Sequence, residues 1–142
     1  VRDLVACDRS GYIRVNEKME TGIPGLYAVG DCTQTFLRQV VTAAANGAVA
    51  AVASERYIKE LDQIRSILSP DSGDTVFLFY NPYRNEDIQR TGELEQSLNS
   101  RWKVYRQDIT RQDLLYKSLH LEQTVSAAFY RNGRLLEVKR TL

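Results

Sequence analysis

Residues 22–61 read GIPGLYAVGDCTQTFLRQVVTAAANGAVAAVASERYIKEL, and the rest of the 142-residue chain is read outward from them. Leu26-Tyr27-Ala28-Val29 is a short apolar run of the kind that makes a buried strand. Gly30-Asp31 ends it with a tight turn that carries one acid. After a short polar loop, Arg38-Gln39 opens a helix that is apolar on nearly every side from Val40 to Ala53. Such a helix belongs in an interior. Its many alanines and Gly47 let its backbone lie close to a neighbour. Charge returns at Glu55, Arg56, Lys59 and Glu60, so the expected solvent end is the C-terminal one and the buried end the N-terminal one. Free N–H groups and the positive end of the helix dipole would there receive a partly negative ligand group.

The ordered set Gly11-Tyr12-Ile13, Ile23-Pro24-Gly25-Leu26-Tyr27-Ala28-Val29-Gly30-Asp31 and Arg38-Gln39-Val40-Val41-Thr42-Ala43-Ala44 resembles the C-terminal part of the FAD domain of low-molecular-weight thioredoxin reductases. The resemblance spans roughly residues 6–61 and is specific in order and spacing, where a lone Gly-Asp would be only a turn. It implies that Asp31, following Gly30, accepts a hydrogen bond from an FAD ribityl hydroxyl. It also implies that Arg38, Gln39 and Val40 present backbone N–H groups to the pyrimidine edge of the flavin, where negative charge gathers on reduction.

Net charge is +1 with both signs mixed, which argues against a nucleic-acid or membrane surface chosen by bulk charge. The apolar stretch Val40–Ala53 is too short for a bilayer, which needs about 20 residues. No charged-then-apolar leader precedes the fold, and the chain begins with Val1, so it reads as a piece that starts inside a protein. Cys7 and Cys32 make no Cys-x-x-Cys pair, and with one histidine a zinc site is not expected. A disulfide between them stays open, although a cytosolic chain favours two free thiols. Residues 1–15 read as a hairpin-like pair of short strands around Asp8-Arg9-Ser10-Gly11.

Ser69-Pro70-Asp71-Ser72-Gly73-Asp74 is the clearest linker, and a domain boundary is expected there. Beyond it the pattern predicts a strand over Thr75–Tyr80, a helix over Glu86–Leu98 with Ile88, Leu94 and Leu98 inward, and a strand over Trp102–Ile109. A second helix is expected over Arg111–Leu121, then strands Ser126–Tyr130 and Leu135–Arg140 joined through Asn132-Gly133, a strong hairpin signal.

This order resembles a thioredoxin fold, with Phe79-Tyr80-Asn81-Pro82-Tyr83 similar to the lead-in to that family's active site and Phe129-Tyr130-Arg131-Asn132-Gly133 similar to its hairpin. The two redox cysteines would fall at Arg84 and Asp87, and the proline before the hairpin strand at Val125. No residue from Val76 to Leu142 is a cysteine, so disulfide exchange has no nucleophile in this half. Arg84-Asn85-Glu86-Asp87 then reads as a solvated turn and cap, or as a docking tip.

The expected class is α/β: residues 1–61 the C-terminal part of a Rossmann-like FAD-binding domain, 62–73 helix end and linker, and 74–142 an incomplete thioredoxin-like domain without redox cysteines. The resemblance implies a cytoplasmic, homodimeric flavoprotein that passes electrons from NADPH to FAD to a protein disulfide such as thioredoxin. NADPH would bind outside these residues, since no Gly-x-Gly-x-x-Gly loop is present. The alternatives are a related FAD reductase with another donor or acceptor, and a non-enzymatic thioredoxin-like docking module.

Overall fold

The computed structural model describes residues 4–140. They form two compact units that divide between Lys59 and Glu60, inside one long helix, α1 (Val40–Ile67). The helix is continuous to Ile67 and starts two residues later than the sequence suggests, so Arg38 and Gln39 lie in the segment leading into it.

In the first unit, irregular chain is stitched by single bridges. Of the expected pair of short strands, the described part keeps the turn and one isolated bridge, Cys7 to Ile13, with the N–H of Asp8 donating to Tyr12 O at 2.8 Å; residues 1–3 lie outside the described range. Asp8 Oδ1 closes the turn by accepting the N–H groups of Ser10 and Tyr12, each at 2.9 Å. Leu26–Val29 is not the buried strand its apolar run suggests. Tyr27 makes one bridge to Glu20, Ala28 is buried, and Leu26 and Val29 are exposed. Leu26 O accepts the Thr21 N–H and the Ala28 N–H donates to Met19 O, each at 3.1 Å, so among the described residues the run is bridged on the Met19–Thr21 side.

The burial expected of α1 is also reversed. Val40 and Val41 are 86% and 72% exposed, Val49 and Val52 stand about half in solvent, and the one buried residue of the helix is Glu60. Amphipathic patterning cannot orient a helix that is apolar all round; only a covering surface could bury it.

The second unit is a four-stranded sheet in the order β2-β1-β3-β4. Its strands are β1 (Asp74–Tyr80), β2 (Lys103–Asp108), β3 (Ser126–Arg131) and β4 (Arg134–Arg140). β1 and β2 run parallel, while β3 is antiparallel to both β1 and β4. With α2 (Asn85–Ser97) between β1 and β2, and α3 (Leu114–Ser118) between β2 and β3, this is the connectivity of a thioredoxin-like fold. β1 is central and closed on both faces, which explains its unbroken apolar run.

On one face Phe77, Phe79, Ala128 and Tyr130 pack with Leu115, Leu121, the end of α1 at Ile64 and Ile67, and Leu68 just after it. On the other, Val76, Leu78, Ala127 and Phe129 meet Leu98, Trp102 and Val104. Full burial stabilises each large side chain by roughly 1.5–3 kcal/mol. Burial also raises the Tyr130 phenol to about 12. The hairpin turn has φ of 50° at Asn132 and 74° at Gly133, both positive as a tight primed turn requires. A Cβ at Gly133 would also strike the Leu68 carbonyl.

Three expectations change here. Ile88 is 41% exposed, and α2 instead turns Asp87 and Thr91 inward. The second helix shrinks to α3, because Arg111 and Gln112 are taken up by N–H bonds to Asp108 O and His120, at φ 50°, ends the helical path. The tip is not wholly solvated, since Asp87 is 5% exposed and its Oδ2 accepts the N–H of Asn81 at 3.2 Å.

Asp74, at the start of β1, accepts Arg131 Nε at 2.7 Å and also pairs with Arg101, tying β1 to β3 and to the turn before β2. The Arg131 hydrogen bond, supported by Arg101 against partial desolvation, holds this carboxyl below its ordinary value. A depressed folded value contributes stability above the unfolded value, about 4, that is lost as pH falls through the folded one. Asp74→Asn should therefore destabilise the second unit at neutral pH, with the deficit closing below about pH 4. Chemical denaturation of both proteins across pH 2–7 checks this; a deficit independent of pH would contradict it.

Candidate functional site

Three sequence motifs converge in the first unit. Ile13 is the middle rung of a short ladder, bridged to Cys7 on one side and to Thr33 on the other. Its N–H donates to Cys32 O at 2.9 Å, and its carbonyl accepts the N–H of Gln34 at 3.2 Å. The Gly11-Tyr12-Ile13 motif is thereby fastened to Gly30–Cys32, which forms one 3₁₀ turn. Thr33, buried at 1% exposure, clamps that turn by donating its hydroxyl to Gly30 O at 2.7 Å. The sequence reading passed over Thr33, although a threonine three residues after Gly30 has the spacing for such a local bond.

Gly30 joins the turn to α1. Its φ is +70°, and a Cβ there would come 3.3 Å from Ala43 Cβ. A side chain at this position would be strained and crowded together. Gly25, at φ +79°, closes the Ile23-Pro24-Gly25-Leu26 turn, and a Cβ on it would meet the Tyr57 ring at 3.3 Å. The segment from Gly25 to Gly30 thus runs antiparallel to α1, touching it near Tyr57 and near Ala43. The Tyr27 phenol beside it is raised, first by burial and then by Glu20 and Tyr57.

Gly30 therefore lies against Ala43 in the first turn of the helix, and Asp31, the next residue, is exposed. First-turn N–H groups have no acceptor within a helix and carry its positive dipole end. The guanidinium carbon of Arg38 sits 4.1 Å above the centre of the Tyr12 ring. Gln39 O accepts the Ala43 N–H at 3.0 Å, and Arg38, Gln39 and Val40 are all exposed. The geometry offers one acid, one clamped backbone turn and an open helix N-terminus side by side. It can receive hydroxyl donors and partly negative acceptor groups.

The cysteines are free, with Cys32 exposed and Cys7 half-buried. Ile13 lies between the segments that carry them. Two inter-strand spacings amount to roughly 9–10 Å, beyond the roughly 7 Å that a disulfide spans. The choice left open by sequence falls to thiols. Among the described residues there is no group of three or more side chains suited to a metal. No helix among them is long and apolar enough to cross a membrane.

In the second unit, Arg84 is exposed where a reactive cysteine would stand, and Val125 is buried. A shallow depression on α2, lined by Arg90, Glu93, Leu94 and Ser97, includes none of the candidate site residues.

Residues 2–47 match the family described as pyridine nucleotide-disulphide oxidoreductase. The N-terminal part of the chain is similar to this family and to thioredoxin reductases. The thioredoxin reductase of Peptoclostridium litorale is 52% identical over 54 residues, which is 38% of this chain and 17% of that protein. The Bacillus subtilis thioredoxin reductase is 41% identical over 56 residues, 39% of this chain and 18% of its own length. The chain thus spans less than a fifth of these relatives.

Among solved structures, a designed protein aligns with 57% of this chain and 78% of its own at a TM-score of 0.50 and 12% identity. The thioredoxin-like assignment of the second unit stands on strand order and direction.

Thiol counting tests the cysteine geometry. Denatured without reductant, the purified chain should titrate two thiols, Cys7 and Cys32; a count near zero in monomeric protein would contradict the ladder.

Proposed function

We propose that residues 1–61 supply one wall of an FAD site in a thioredoxin-reductase-like disulfide reductase, and that residues 74–142, after the helix end and linker at 62–73, form a redox-inactive interaction domain. The observation that carries the first part is the glycine contact of Gly30 with Ala43, which sets Asp31 beside the open first turn of α1. The residues fit the group: an exposed carboxylate for a ribityl hydroxyl, and backbone N–H groups at Arg38, Gln39 and Val40 for the electron-rich edge of a flavin ring. FAD supplies the two-electron chemistry that links a nicotinamide donor, NADPH by the family resemblance, to a disulfide acceptor. The protein's own part is to hold and orient. Gly30 gives the close approach, Asp31 accepts a hydrogen bond from a hydroxyl, and the head of α1 favours negative charge at its N–H groups.

The remainder of the pocket, the nicotinamide site and a redox cysteine pair are assigned to chain outside these residues, in keeping with the small share of the relatives that is matched. A cytoplasmic homodimer acting on thioredoxin or another disulfide protein is the form this reading favours. For the second unit, Tyr83 at 77% exposure and the neighbouring Arg84 on a turn held by Asn81 and Asp87 support docking rather than exchange. It contains no thiol with which to exchange.

Asp31→Ala in the flavin-loaded protein should weaken FAD retention by roughly 1–3 kcal/mol, the cost of a buried hydroxyl left without its acceptor. The flavin-to-protein absorbance ratio after gel filtration and a titration of the stripped protein check this. Unchanged stoichiometry and affinity would remove Asp31 from the site.

A further inference from the structure

We propose that Tyr12 is a positioning residue: its ring holds the Arg38 guanidinium and so orders the Arg38–Val40 N–H groups before any ligand arrives. The purpose of that ordering rests on the flavin-site reading above; the ordering itself does not.

The ring has a firm base. The Tyr12 N–H donates to Asp8 Oδ1 at 2.9 Å, and its carbonyl accepts the Asp8 N–H at 2.8 Å. The next residue, Ile13, is bonded through both its N–H and its carbonyl to the Cys32–Gln34 segment. The ring therefore rides on the same ladder that fixes Gly30–Cys32. The chain between that ladder and α1 is different in kind. Phe36 is fully exposed, Leu37 is half exposed, and the Thr35 hydroxyl bond to Leu37 O is long at 3.4 Å. Arg38 is tethered at the far end of this segment by its place over the Tyr12 ring, 4.1 Å from the centroid, well inside the roughly 6 Å range of a cation–π contact.

The segment is held at Gln34 and, through Gln39 O and the Ala43 N–H, at the head of α1; a further anchor at the Arg38 side chain narrows the paths open to it, and N–H donors ordered in advance spare the ordering cost on binding. The attraction uses the ring face, so the phenol hydroxyl is dispensable and phenylalanine should substitute.

The 142-residue chain, its Tyr12→Phe and Tyr12→Leu variants and the reciprocal Arg38→Met are compared by ¹⁵N NMR in the absence of ligand. Wild type and Tyr12→Phe should share a ring-shifted Arg38 Nε–H signal and order parameters near 0.85 at Arg38–Val40. Tyr12→Leu and Arg38→Met should lose that order, falling toward 0.6 or below at the same amides, while β1 and β3 resonances stay in place. Unchanged order in either disabling variant, or failure of Tyr12→Phe to restore it, overturns the proposal. Arg38→Met keeps the test decisive if Tyr12→Leu disturbs the hairpin. The order parameters are read without ligand, so the role of Tyr12 is decided apart from the flavin reading, which the Asp31→Ala retention measurement tests.

Discussion

Apolar surface at the head of α1 constrains everything else in the first unit. Val40, Val41, Val49 and Val52 stand in solvent on a helix whose first half carries no charge. Covering one such side chain is worth roughly 1.5–3 kcal/mol, against whole-domain stabilities of about 5–15 kcal/mol. The ladder through Ile13 and the glycine contacts at Ala43 and Tyr57 fix local geometry without supplying that cover. The proposed wall of a larger flavin-binding domain would account for both facts: its turns would shape it and its apolar face would be covered by what packs on it.

The second unit follows a different logic. Its central strand is sealed on both faces, and polar groups fasten its edges. Glu60, on the last third of α1, accepts the Leu114 N–H at 2.8 Å and so caps α3 from another helix. Asp74 ties two arginines at the opposite end of β1 from the Asn81 turn. β4 is an outer strand whose pairing slips by one residue, leaving Leu136 unmatched, and whose ends carry Arg134, Lys139 and Arg140. A bulge and basic charge together discourage edge-to-edge pairing with another sheet. The turn at Tyr83–Arg84 stands exposed at the end of β1 opposite Asp74.

Much of the second unit was legible in sequence because its signals are local. The Phe77–Phe79 run, the Asn132-Gly133 turn and the acids opening α2 each fix their element within a few residues. Asp87 and Thr91 were not legible as inward-facing, since a helix can be turned by a buried carboxylate that finds the Asn81 N–H, a partner no periodicity reveals. In the first unit the juxtaposition of Gly30 with the helix could be read from the motifs, whereas the exposure of Leu26 and Val40 could not. Apolar residues announce that they need cover, and the cover itself must come from elsewhere. The Tyr12–Arg38 pair joins positions 26 residues apart through a side-chain contact, and neither residue signals the other in sequence.

Hydrogen exchange of the 142-residue chain, read peptide by peptide, tests the central claim most directly. The account predicts strong protection at Val76–Phe79 and Ala127–Phe129, with much faster exchange across Val40–Ala53, reflecting an uncovered helix whose opening is not tied to the sheet. Protection of Val40–Ala53 equal to that of the central strands, lost in the same cooperative step, would contradict it and show that this part of the chain is complete in itself.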